Sequence, residues 1–166
     1  MNIVLIGYRG TGKSTIGRVL AGKLKYPLIH MDQLIVKKTN MSIPEIVEKH
    51  GWGHFRDLES DVAVEVSNMD NCIIDCGGGV ILRDKNVKNL KTNGKCFLLK
   101  ADIETIIKRI QGDSNRPALK EGMSFREEQE KVLKERNPKY KAAADVEIDT
   151  SILTVEQAVE KILKNI

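Results

Sequence analysis

Cysteine is scarce in this chain of 166 residues, and the three present, Cys72, Cys76 and Cys96, fall into no metal-binding spacing. An odd count fits no disulfide framework, and each lies in or beside an apolar, strand-like run. The expectation is three buried, reduced thiols in a cytoplasmic protein. Long hydrophobic runs are missing too. The stretch Asn2-Ile3-Val4-Leu5-Ile6 is ended by Gly7 and is too short for a signal-peptide core or a membrane span. Nor is there an excess of one charge: 27 Lys and Arg are interleaved with 23 Asp and Glu, a net charge of +4. That balance argues against a nucleic-acid-binding arm and mildly favours small anionic ligands. There is no internal repeat and no low-complexity tract. The length suits a single domain, residues 1–166, with a core of its own. With no evident apolar stripe left over, a monomer is expected.

What is present is alternation. Short apolar runs at residues 3–6, 27–29, 72–75, 96–99 and 146–148 predict five strands, mostly uninterrupted by polar residues, as in a sheet covered on both faces. Between them lie helical patterns. Ile16, Val19, Leu20 and Leu24 form one stripe, and Phe55, Leu58, Val62 and Val66 another at spacings of three and four. Thr154-Val155-Glu156-Gln157 has the form of a capping box, opening a last helix whose buried face would be Val155, Ala158, Val159, Ile162 and Ile166. The implied fold is a parallel three-layer α/β/α domain. Two segments break the alternation. Residues 32–67, about, read as helix after helix, an insertion over one end of the sheet. Residues 111–124, about, are polar, carry Gly112, Pro117 and Gly122, and have the character of a lid.

The strongest signal is Gly7-Tyr8-Arg9-Gly10-Thr11-Gly12-Lys13-Ser14, a complete Walker A pattern between an apolar strand and an amphipathic helix. Its glycines let backbone N–H groups turn toward phosphate oxygens, and the helix opening near Lys13 adds its positive end. Gly10, Thr11, Gly12, Lys13, Ser14 and Thr15 form the nucleotide cradle, with Lys13 for the β- and γ-phosphates and the Ser14 hydroxyl for Mg²⁺. The pattern alone does not separate a kinase from an NTPase. No base-reading Asn-Lys-x-Asp motif of a GTPase is found, and a lid that excludes water favours transfer from ATP to a small acceptor.

Outside the loop, candidates recur at strand ends and on helices: Asp32, Phe55-Arg56-Asp57-Leu58-Glu59, Cys76-Gly77-Gly78-Gly79, Arg116-Pro117 and Arg136-Asn137-Pro138-Lys139-Tyr140. Singly, each admits a plainer role. Arg56 and Glu59 could be a surface ion pair, Asp32 a helix cap, Gly77–Gly79 a turn, and Arg136 a helix-terminal cation. Taken together in this order behind a P-loop, they resemble the shikimate kinase family nearly end to end. The resemblance implies a nucleoside-monophosphate-kinase-like fold and Mg²⁺-dependent transfer from ATP to the 3-hydroxyl of shikimate. It assigns Asp32 to the substrate hydroxyls, as the group that orients or deprotonates the nucleophile. Arg56 and Arg136 are assigned to the substrate carboxylate, and Gly77, Gly78 and Gly79 to close backbone approach. The lid residue Arg116 falls on the transferring phosphate, Arg109 on adenine, and Glu59 behind the first substrate arginine. The chemistry agrees, because a carboxylate ligand suits the planar guanidinium fork.

One departure stands out. The family pattern has Asp-x-Asp after the second strand, whereas here the run is His30-Met31-Asp32. Imidazole is a poor partner for a hard Mg²⁺ ion. A second departure, Asp75 just before Cys76 and the glycines, has the look of a Walker B carboxylate. Either it supplies the missing charge at the metal, directly or through water, or His30 simply packs beside the P-loop and Ser14 with phosphate oxygens suffices for the ion. The competing readings are a gluconate-type small-molecule kinase and a weakly catalytic nucleotide-binding regulator.

Overall fold

The computed structural model describes residues 1–111 and 122–166. Five parallel strands form the sheet: β1 (Asn2–Ile6), β2 (Leu28–His30), β3 (Ile73–Asp75), β4 (Gly94–Lys100) and β5 (Val146–Asp149), in the order β2-β3-β1-β4-β5. Each expected strand is there, shifted by a residue or two. Around them pack α1 (Lys13–Leu24), α2 (Met31–Thr39), α3 (Ile43–Ser67), α4 (Asp84–Thr92), α5 (Ile103–Ile110), α6 (Phe125–Ala143) and α7 (Val155–Leu163).

The three layers follow from the period-two geometry of strands. Ile3 and Leu5 of β1 join one core cluster, with Ile16 and Leu20 of α1 and Ala158, Val159 and Ile162 of α7. Val4 and Ile6, from the same strand, enter the other, with Phe55, Val62 and Val66 of α3, Leu90 of α4 and Val132 of α6. The expected stripes therefore face the sheet. Val19, Leu24 and Leu58 are half-buried at their margins. Ile166 is a correction: it lies beyond α7 and is 49% exposed, because the helix stops at Leu163 and the heptad spacing runs on past the last helical turn.

The insertion is α2 and α3. Ser42 and Glu45 cap α3 reciprocally, and Gly51 (φ 82, ψ 168) kinks it where no side chain would be tolerated comfortably. The kink turns Trp52 onto Phe55, edge to face at 5.7 Å. What this topology does for function is simple. The segments after β2, β3 and β1, three adjacent strands, all leave the same end of the sheet, the carboxyl end where ligands bind in open α/β folds.

Candidate active site

The loop after β1 is built as its sequence implies. Gly12 takes a left-handed conformation (φ 96) as the N-cap of α1. Lys13, only 9% exposed, donates from Nζ to the carbonyls of Gly7 (2.8 Å) and Tyr8 (3.0 Å), which holds its charge over the loop. Thr11 Oγ1 donates to the Tyr8 carbonyl at 2.7 Å. From the end of β5, the Thr150 hydroxyl donates to the Thr11 carbonyl at 2.7 Å. Arg109, on α5, donates to the carbonyls of Gly10 (3.1 Å) and Thr150 (3.0 Å), so its guanidinium lies on the rim of the cradle. A cavity of about 480 Å³ opens here, lined by Gly10, Gly12, Lys13, Ser14, Thr15, Arg109, His30, Asp32, Asp75 and Gly77.

The glycines after β3 join this cavity to a second group of side chains. A methyl placed on Gly77 would lie 2.7 Å from Asp32 Oδ1 and 3.0 Å from Glu59 Oε2. On Gly79 it would lie 2.2 Å from Arg56 Nη1. On Gly78 it would meet the Tyr140 hydroxyl at 3.6 Å and Arg136 Nη1 at 3.7 Å. The bare backbone at Gly77 and Gly79 is what leaves room for Asp32, Glu59 and Arg56, while Arg136 stands in ordinary contact with Gly78.

Gly77–Gly79 do make a turn, with Val80 N donating to the Gly77 carbonyl at 3.1 Å, but the plainer readings of Arg56, Arg136 and Asp32 do not survive. Arg56 Nη1 bonds Glu59 Oε1 at 2.8 Å with the glutamate 1% exposed, so this is no surface pair. Burial pushes the Glu59 carboxyl up, with Asp32 adding to the rise, against the pull of Arg56 and Arg136. The Arg56 guanidinium also stands 5.2 Å from the Trp52 ring centre. Arg136 is buried within α6, two turns before its end, rather than at a helix terminus. Asp32 lies in the first turn of α2, but the N-cap is His30, and no side chain caps that end.

Asp75 is 7% exposed and accepts from the Ser14 hydroxyl at 2.6 Å, so the two candidates for the metal side are in contact. His30 Nδ1 is 2.8 Å from the same carboxylate oxygen. Arg116 and most of the expected lid lie outside the described residues.

Sequence reasoning passed over several supports. The Tyr140 hydroxyl donates to the Gly78 carbonyl, and burial pushes that phenol up to about 12, so it stays a donor. The Tyr8 hydroxyl bonds Gln129, and Thr150 anchors the phosphate loop. These partners are 62, 121 and 139 residues apart, beyond any local pattern.

The family model for shikimate kinase matches residues 9–166 of this sequence. The chain belongs to the shikimate kinase family. Among curated relatives, a shikimate kinase of Caldicellulosiruptor bescii is 44% identical over 162 residues, covering 98% of this chain and 93% of its own. One from Thermodesulfovibrio yellowstonii is 41% identical over 163 residues, with the same coverage of both chains. A solved shikimate kinase from Acinetobacter baumannii, in complex with shikimate, superposes with a TM-score of 0.93 at 34% identity, over 99% of this chain and 91% of that one. Among the described residues no helix is long and apolar enough to cross a membrane.

Proposed function

We propose that this protein transfers the γ-phosphoryl group of ATP to the 3-hydroxyl of shikimate, giving shikimate 3-phosphate and ADP on the route to chorismate and aromatic amino acids. The observation that carries this reading is the convergence at Gly77–Gly79 of two arginines, Arg136 buried and Arg56 half-buried, and a carboxylate beside a phosphate-binding loop. A carboxylated polyol needs that combination, cations for its acid group and an anion for its hydroxyls.

In this reading Arg56 and Arg136 hold the shikimate carboxylate, and Glu59 fixes the first of them through the 2.8 Å ion pair. Each charged hydrogen bond contributes roughly 1.5–3 kcal/mol, so losing one arginine weakens acceptor binding by about tenfold or more. Asp32 orients the nucleophilic hydroxyl and receives its proton. Lys13 and the lid residue Arg116 meet the charge that develops on the equatorial phosphoryl oxygens. Gly77–Gly79 keep the backbone close to the substrate, and Arg109 packs on the adenine.

ATP is used with Mg²⁺, and the Ser14 hydroxyl and the Asp75 carboxylate are the hard oxygen groups that fit that ion. Held there by Ser14 and Asp75, the ion would neutralise charge on the transferring phosphate. No group of three His, Cys, Asp or Glu stands ready to hold a metal among the described residues, which suits an ion that shares its shell with phosphates and water. The molecule works as one cytoplasmic kinase unit, a monomer with no nucleic-acid or membrane partner.

A coupled assay of ADP release with shikimate, with gluconate and with no acceptor tests the reading. Turnover should require shikimate. Gluconate-dependent turnover would favour a gluconate-type kinase, and acceptor-independent turnover or none would favour the weakly catalytic regulator.

A further inference from the structure

Three side chains meet on one oxygen atom. Asp75 Oδ2 accepts from the Ser14 hydroxyl at 2.6 Å and lies 2.8 Å from His30 Nδ1. The meeting is set by the sheet. His30 and Asp75 are register partners in the parallel pair β2–β3, and Asp75 is in turn the partner of Leu5 in β1. Side chains at paired positions lie on the same face, so an imidazole at the end of β2 has the carboxylate at the end of β3 for its neighbour. Ser14 opens α1 directly above, one loop after β1.

The bonding on Asp75 is lopsided. A carboxylate only 7% exposed needs donors to offset its lost hydration, and both of its donors arrive at Oδ2. Oδ1 takes no hydrogen bond among the described residues, and the side chain lines the cavity above Lys13 and Ser14. One oxygen anchors the group and the other is left for the cavity. An ionised carboxylate only accepts, so Nδ1 of His30 is the donor, and that nitrogen is already engaged.

We propose that His30 is a positioning residue: its Nδ1–H clamps Asp75 against Ser14, so that the carboxylate serving the metal stands at the end of β3 instead of β2. This deepens the kinase reading and rests on it for the nature of the ion and the nucleotide. His30 does not ligate the metal. It occupies the last position of β2, where an acid would compete with Asp75 for room and add a second negative charge, and it converts that place into a support. Outer partners that orient a ligating carboxylate typically cost 10–100-fold in metal affinity when removed.

The test is Mn²⁺ affinity of the enzyme–ADP complex, followed by the electron paramagnetic resonance signal of free Mn²⁺, with no acceptor and no turnover. His30→Ala should weaken binding about tenfold or more. His30→Asn, whose amide N–H falls where Nδ1 sits, should restore most of it, and His30→Phe, which keeps the ring volume without the donor, should not. Asp75→Asn should weaken binding at least as much as His30→Ala, and adding His30→Ala to Asp75→Asn should change little further, because no carboxylate remains to be positioned. A His30→Phe affinity within twofold of the parent would overturn the proposal, as would additive losses in the double variant. Hyperfine coupling to an imidazole nitrogen in the Mn²⁺ complex would also overturn it, since His30 would then be a ligand. Should the parent enzyme bind Mn²⁺ and ADP in this pattern yet fail to turn over shikimate, the acceptor assignment would fall and the positioning role would stand.

Discussion

Gly79 has an ordinary backbone conformation (φ −95, ψ 6), so its lack of a side chain answers to space and not to torsion. A methyl group there would sit 2.2 Å from Arg56 Nη1 and 2.4 Å from its central carbon. Gly79→Ala should therefore displace the Arg56 guanidinium, raising the KM for shikimate about tenfold while the KM for ATP stays within twofold. Equal losses for both substrates in steady-state kinetics would refute this. Arg56→Lys asks a related question. One ammonium cannot hold Glu59 and a substrate carboxylate in the same planar fork, so a similar rise in the KM for shikimate alone is expected, with Glu59 left partly uncompensated at 1% exposure. At this scale the sequence was legible as a set of residue types. The triple glycine, Arg56 and Asp75 all declared themselves, but the reasons did not, because the atom that excludes a methyl at position 79 is 23 residues away along the chain.

Elements were legible in proportion to their burial. Strand β1 is buried at every position, and β4 is buried from Cys96 to Leu99; both carried clear apolar runs. Strand β2, at one edge, is half-buried throughout, and β5, at the other, mostly so, which leaves little contrast for a period-two pattern. Helix ends were legible where a cap is local. Thr154 Oγ1 accepts from Gln157 N at 3.2 Å, and Gln157 Oε1 accepts from Thr154 N at 2.9 Å, as the four-residue pattern implied. Removing that cap by Thr154→Ala should cost about 1 kcal/mol, lowering the melting temperature by about 2–4 °C. Since α7 packs on the face of the sheet away from the acceptor group, the KM for shikimate should be unchanged, and a rise in that KM without a fall in melting temperature would contradict the assignment. The helix end that failed was the one without a local signal, where Ile166 continued the spacing after the hydrogen bonds had stopped.

Across the whole molecule the three cysteines report on how the layers hold together. All are buried and unpaired with one another, and all belong to the cluster on the α3, α4 and α6 side of the sheet. Burial raises each thiol: Cys76 well above the ordinary value, Cys96 to about 12, and Cys72 less, with the nearby Asp70 adding to the rise. The reactive thiolate is thus suppressed twice, by protonation and by lack of access. At pH 8 a thiol reagent should label the native protein slowly, and urea should accelerate all three sites together, because reaching any of them requires the sheet and its helices to part. Peptide mapping of the labelled protein decides this. Early labelling of Cys72 alone would mean that the start of the β1–β3 pair, where Asn2 Oδ1 accepts from the Cys72 amide at 3.2 Å, opens by itself. The same shifts fix the sign of the alkaline limb. A group whose value is higher in the folded state stabilises it fully below the unfolded value, about 8.5 for a thiol, and loses that contribution as pH rises toward the folded value. The urea midpoint should therefore fall between about pH 8.5 and pH 10.5, and Cys96→Ala, measured against its own midpoint at pH 7, should flatten that fall. An unchanged slope in Cys96→Ala would show that the alkaline loss of stability arises elsewhere, in the lysines and tyrosines, and that the buried thiols are not its source.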